Sequence, residues 1–227
     1  MTVRRSYRQF CGLAKALDVL GERWTLLLAR ELLLGPRRYS ELLASLPGVT
    51  TNLLAARLKD LEANGLVERT DDGYRLTEAG AALEPVVMEL ARFGGRYLRQ
   101  PARGERVDLG WGLLSLKRRY RGGLELTLAV HADDDWYTLG FEPEWLRVSL
   151  GRPDRADATV HATKVQLQAL LFRSESLDRL LQAGLGIEGD ARLVRRALSS
   201  LGPPAEAHQA PRAGSGVRWT NPRSLRT

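Results

Sequence analysis

Two short helical stretches joined by a tight turn and followed at once by a hairpin signal constrain this chain more than any other feature. Gly35-Pro36 closes a preceding helix, because proline cannot continue the hydrogen-bond ladder and biases its predecessor away from the α region. Ser40 is placed to cap a helix running to Leu46, and Pro47-Gly48 is the turn. Thr50 caps the next helix, Thr51 to Asn64, with Gly65 as its stop. Leu66 to Arg69 and Tyr74 to Thr77 then read as strands about Asp72-Gly73, a hairpin turn. Ala79 to Tyr97 follows as one amphipathic helix with Leu83, Val86, Val87, Leu90 and Phe93 inward. Leu13, Leu17 and Leu20 open the segment at helical spacing, and Trp24 to Leu32 continue it after Gly21. A helix-turn-helix with a hairpin behind it is a winged helix, here spanning residues 10–100.

The wheel of Thr51 to Asn64 separates two faces. Leu53, Leu54, Leu58 and Leu61 share one side and are expected to pack inward. Asn52, Ala55, Ala56, Lys59 and Ala63 lie opposite, with Thr51 at the edge. Small residues allow close backbone approach to a major groove. Asparagine can pair with adenine, alanine can touch a thymine methyl, and lysine can reach phosphate or guanine. Arg37, Arg38, Tyr39, Ser40 and Thr50 stand at the helix starts as phosphate or positioning contacts, and Arg69 and Arg75 lie on the wing. Arg57 falls beside the leucine face and is expected to pair structurally with an acid such as Glu31 or Glu62. The wing tip, Asp71-Asp72, would repel phosphate, so deep minor-groove insertion is not expected. That acidic tip also supports an alternative, a winged helix used for protein contact beside a lipid-carrying domain.

Charge agrees with a polyanionic partner. The net charge is +7. Residues 1–100 hold fifteen basic against twelve acidic residues, whereas residues 107–200 balance. No apolar stretch approaches the ~20 residues of a membrane span, and the start carries no secretory pattern. A single cysteine, Cys11, excludes an internal disulfide framework, and a cytoplasmic location is expected. Residues 202–227, rich in Pro, Gly, Ser and Arg and carrying Trp219, read as a disordered basic tail.

The stretches Ala16-Leu17-Asp18-Val19-Leu20-Gly21-Glu22-Arg23-Trp24-Thr25, Arg37-Arg38-Tyr39-Ser40-Glu41-Leu42 and Leu46-Pro47-Gly48-Val49-Thr50 resemble, in order, the HxlR-type winged-helix regulators of bacteria. Gly65-Leu66-Val67-Glu68-Arg69 and Tyr74-Arg75-Leu76-Thr77 continue the resemblance. It implies a homodimer built through the first and last helices on a palindromic double-stranded DNA operator. Gly12 departs from the proline that usually follows the early cysteine, and the wing is short. Some relatives sense oxidants through that cysteine. Cys11 is read first as a half-buried structural residue, because a sensor needs exposure, a depressed pKa and usually a resolving thiol.

Residues 107–201 read as a second, α+β domain. Strands are expected at Leu124–Val130, Trp136–Phe141, Trp145–Leu150 and Ala158–His161. Helices are expected at Val165–Phe172, Leu177–Ala183 and Ala191–Leu201. Gly151 to Val160 and Gly184 to Asp190 resemble sterol-carrier-protein-like domains, which implies room for a small hydrophobic ligand. Gly184-x-Gly186-x-x-Gly189 fits a dinucleotide fingerprint only in spelling, since a helix precedes it and a strand falls inside it. His131, His161 and His208 lack metal-ligand spacing, no hydrolase elbow is present, and neither cofactor nor metal is expected. The reading is a sequence-specific regulator, expected to repress, and not an enzyme.

Overall fold

The structure, a computed structural model, describes residues 6–98, 101–172 and 174–203. The expected tail therefore lies outside the described residues from position 204 onward. The order in the first segment is α1 (Gly12–Leu20), α2 (Thr25–Leu32), α3 (Tyr39–Ser45), α4 (Thr51–Ala63), β1 (Val67–Thr70), β2 (Gly73–Leu76), α5 (Glu78–Ala81) and α6 (Glu84–Gly94). A 3-10 turn, Gly95–Tyr97, closes it. The winged-helix order is as expected: helix pair, short turn, antiparallel hairpin with Val67 opposite Leu76.

Leu28, Leu32, Leu42, Leu46, Leu54, Leu58, Leu61 and Val67 form the core of this unit. Each buried leucine contributes about 1.5–3 kcal/mol by leaving water. Trp24 packs against the same core from a left-handed backbone at φ 81°, an uncommon conformation that turns the chain from α1 into α2.

Three local expectations need correction. Ser40 is not a cap: the cap is Arg38, two residues earlier, and the Arg38 N–H donates to Glu41 Oε2 at 2.7 Å, tying off the helix start. The final long helix is broken into α5 and α6. Thr77 caps α5 by accepting from the Gly80 N–H, and Pro85, which lacks an N–H, stands in the first turn of α6. Its inward face is also different, for Val87 and Met88 are buried while Val86, Leu90 and Phe93 are exposed.

The second segment runs α7 (Leu109–Leu116), β3 (Leu126–Ala132), β4 (Asp135–Phe141), β5 (Leu146–Leu150), β6 (Ala158–Ala162), α8 (Lys164–Leu171), α9 (Leu177–Gln182), β7 (Gly186–Gly189) and α10 (Ala191–Ser199). The sheet order is β5-β4-β3-β6-β7, with β3 and β6 parallel and the other pairs antiparallel. The α+β layout is as expected. The sheet is mixed, because the chain crosses from β5 past β4 and β3 to lay β6 parallel to β3.

Helix α2 serves two cores at once. Leu28 and Leu32 point into the winged-helix core, whereas Ala29 and neighbouring Leu34 join Val87, Met88 and the leucines of α7 in the rear core. The Leu150 N–H donates to the Leu34 carbonyl at 2.8 Å, and Arg106 Nη1 donates to the Ala44 carbonyl at 2.5 Å. The reading head and the rear sheet thus share a buried helix.

Candidate nucleic-acid interface

Helix α4 carries the candidate reading face, and its orientation follows from its burial. Leu54, Leu58 and Leu61 are buried and Leu53 is half-buried. Thr51, Asn52, Ala55, Ala56 and Lys59 are all exposed on the other side. Thr50 Oγ1 accepts from the Leu53 N–H at 3.3 Å, capping the end that would enter a groove. Tyr39 reaches across from α3 and donates its hydroxyl to the Thr51 carbonyl at 2.7 Å. Its one proton is thereby committed to holding the two helices, and its oxygen can still accept from an external donor but cannot donate to a phosphate.

The wing divides its two arginines. In the β1–β2 register Glu68 lies opposite Arg75 and Arg69 opposite Tyr74, so the pleat sends the two arginines to opposite faces. Arg75 Nε donates to Glu68 Oε1 at 2.8 Å and its charge is balanced there. Arg69 lies over the Tyr74 ring and shares a cleft of about 400 Å³ with Arg38, Tyr39 and Tyr74. The structure therefore brings Arg38 and Arg69 together and separates Arg75 from them. Ser40 is exposed on the first turn of α3, and Arg38 is exposed just before it.

Arg37 is held differently. Its main chain exchanges both hydrogen bonds with Tyr74, at 2.9 and 2.8 Å, so it extends the wing by one bridge. Its side chain is 19% exposed and turned toward Glu31. Gly73 makes this approach feasible, since a Cβ there would collide with the Arg37 carbonyl and its φ of 124° suits only glycine. Arg57 has the expected structural role but other partners. Its guanidinium bridges Asp60 at 2.7 Å and Glu22 at 3.0 Å, because the helix geometry puts Asp60 one turn onward and the α1–α2 turn supplies Glu22.

Cys11 is exposed, not half-buried, at the residue before α1. Backbone N–H groups of Ala14, then Leu13, face its sulfur and hold its pKa below the ordinary thiol value, against a slight opposing effect of burial. Sequence reasoning missed this because exposure depends on whether anything packs on α1. His131 and His161 meet across parallel strands, Nδ1 to Nδ1 at 3.3 Å, though thirty residues apart. Among the described residues no group of three or more His, Cys, Asp or Glu is arranged for a metal. No described helix is long and apolar enough to cross a membrane.

Comparisons with known proteins bear on the first segment of the chain. A family model described as HxlR-like helix-turn-helix matches residues 19–102. The uncharacterized HTH-type transcriptional regulator YkvN of Bacillus subtilis is 38% identical over 103 residues, covering 42% of this chain and 87% of the relative. The HTH-type transcriptional regulator YodB of the same organism is 36% identical over 89 residues, covering 36% of this chain and 80% of the relative. A crystal structure of quinone-bound YodB shares 39% identity over 36% of this chain and 93% of its own, with a TM-score of 0.35. Each of these matches covers less than half of the chain, and the family model falls on the winged helix. Through that segment the chain belongs to the HxlR-like helix-turn-helix family, whose relatives are named as transcriptional regulators.

Proposed function

We propose that this chain is a sequence-reading transcriptional repressor that binds a palindromic duplex site as a homodimer. The observation that carries the reading is the exposed face of α4, where Asn52, Ala55 and Lys59 stand clear of the packed leucines. Arg38 and Arg69, with Ser40 and Thr50 at the helix starts, fit phosphate contacts that fix register, whereas Asn52 and Lys59 fit base-edge contacts. Arg37 and Arg75 would reach phosphate only after leaving their carboxylates.

Support for the dimer comes from an apolar stripe with no partner in the described chain. Val86, Leu90, Phe93 and Tyr97 recur at helical spacing on and after α6, and all are exposed, as are Phe10, Leu13 and Leu17 at α1. A stripe of that length on a single chain fits a partner copy.

A hydrophobic effector is proposed for the rear domain. A groove of about 780 Å³ runs beside α8, α9 and α10, with a mixed lining in which Leu170, Leu177 and Leu198 stand beside Arg119, Arg121, Arg179 and Glu175. An effector there would act by changing the spacing of the two reading helices.

The test is selection of bound fragments from random duplex DNA, with the wild type beside an Asn52→Ala/Lys59→Ala variant. An enriched palindrome that the variant loses, with affinity falling steeply as salt rises, supports the reading. Equal weak binding by both proteins would sink it and favour a protein-contact role.

A further inference from the structure

Among the described residues, Glu31 of α2 is the one charged side chain that is buried, at 1% exposure. A carboxylate in that position is costly unless both oxygens are paired. Its oxygens are not treated alike. Oε1 accepts from Arg30 Nη2 at 2.7 Å, from Arg30 Nε at 3.1 Å and from the Trp111 indole N–H at 2.8 Å. The Arg30 guanidinium also lies over the Trp111 ring at 3.8 Å. Oε2 makes no hydrogen bond, and the cation facing it is Arg37, whose Nη2 stands 4.0 Å away. The Nε of Arg37 is likewise buried without a partner.

Three parts of the molecule meet at this carboxylate. Trp111 belongs to α7 of the rear domain, Glu31 to the helix shared by both cores, and Arg37 to the junction of wing and helix-turn-helix. Because both main-chain groups of Arg37 are bonded to Tyr74, only its side chain is free to choose between Glu31 and something outside.

We propose that Glu31 is a positioning residue for DNA binding: it sets how far the Arg37 guanidinium is available to a phosphate, and Trp111 sets how strongly Glu31 retains it. This role rests on the DNA-binding reading above. The physical reason is competition for one buried charge. With the indole N–H in place, the carboxylate is anchored through Oε1 and Oε2 stops short of Arg37. Without it, the carboxylate gains most by closing the 4.0 Å gap, because a buried carboxylate must fill its lone pairs. Movement of α7 in the rear domain would thereby add or remove one phosphate contact in the reading head.

The experiment measures affinity of the full chain for mixed-sequence duplex DNA across a salt series, since each phosphate contact adds about 0.9 to the slope of log affinity on log salt. Trp111→Phe keeps an aromatic face for Arg30 and removes the donor. It is expected to make the slope shallower by about one unit, and adding it to Arg37→Ala should change nothing further. Glu31→Gln is expected to leave the slope at least as steep as wild type, and to cancel the effect of Trp111→Phe. A variant that merely folds less well loses active protein without changing the slope, so the two directions together separate positioning from damage. A wild-type slope in Trp111→Phe, or a shallower one in Glu31→Gln, overturns the proposal. Absence of salt-dependent binding by the unaltered chain overturns the DNA-binding reading itself, and this role with it.

Discussion

The Tyr39 hydroxyl donates to the Thr51 carbonyl at 2.7 Å, so the first turn of α4 is fixed by a side chain from α3. The carbonyl belongs to the end of the helix that would approach DNA, where a small tilt moves Asn52 and Ala55 together. Tyr39→Phe removes one neutral hydrogen bond, worth about 0.5–1.5 kcal/mol net. Affinity for a selected operator should fall several-fold with its base preferences unchanged, measured by titration against the site and its single-base variants. A change in preferred bases would mean that Tyr39 itself reads sequence.

The wing predicts an asymmetry between its arginines. Arg69 lies in the cleft with Arg38, while Arg75 is paired with Glu68 on the other face. Arg69→Ala should weaken binding uniformly across sequences and reduce the salt slope by about one, whereas Arg75→Ala should leave the slope as it is. Equal losses from both would place the pleat of the wing differently against DNA.

Leu90 and Phe93 test the apolar stripe on α6, where both are about half exposed. Leu90→Glu with Phe93→Glu should give monomer by sedimentation at concentrations where the wild type is dimeric. Affinity for a palindromic site should fall at least tenfold, while a half-site is bound as before, because the reading face is untouched. A wild type already monomeric in the same run would remove α6 as an interface.

Cys11 gives a pH dependence with a definite sign. Its exposed thiol is stabilised as thiolate by the Ala14 and Leu13 N–H groups, which lowers its pKa. The thiolate therefore persists to lower pH than in an unstructured peptide. The rate of alkylation by iodoacetamide should reach half-maximum below the ordinary thiol range near ~8.5 and converge with the peptide value once the chain is denatured. Coincident profiles for native and denatured protein would show that α1 does not form around this residue.

Much of the reading head was legible because its signals are local. Pro47-Gly48, the Thr50 cap and Asp72-Gly73 each act over a few residues, and the leucine spacing of α4 follows from helix period alone. Where the sequence misled, the outcome turned on neighbours that spacing and residue preference do not specify. Ser40 lost the cap of α3 to the Arg38–Glu41 pair, which is still local but involves a residue type that seldom caps. Leu90 and Phe93 were expected inward because periodicity finds an apolar face without saying what it meets.

The sequence by itself determined a helix-turn-helix with a short wing, an α+β segment behind it and the face of α4 that is free to meet DNA. Backbone preference and hydrophobic period are enough for that, since both act within a single element. Only the tertiary structure decided that α2 is shared by two cores, that Arg69 and Arg75 point apart, and that Glu31 lies between Trp111 and Arg37. Glu31 and Trp111 are eighty residues apart, and no spacing rule joins them. Their contact depends on two packed surfaces excluding water from one carboxylate, which is a property of the folded chain and of no segment within it.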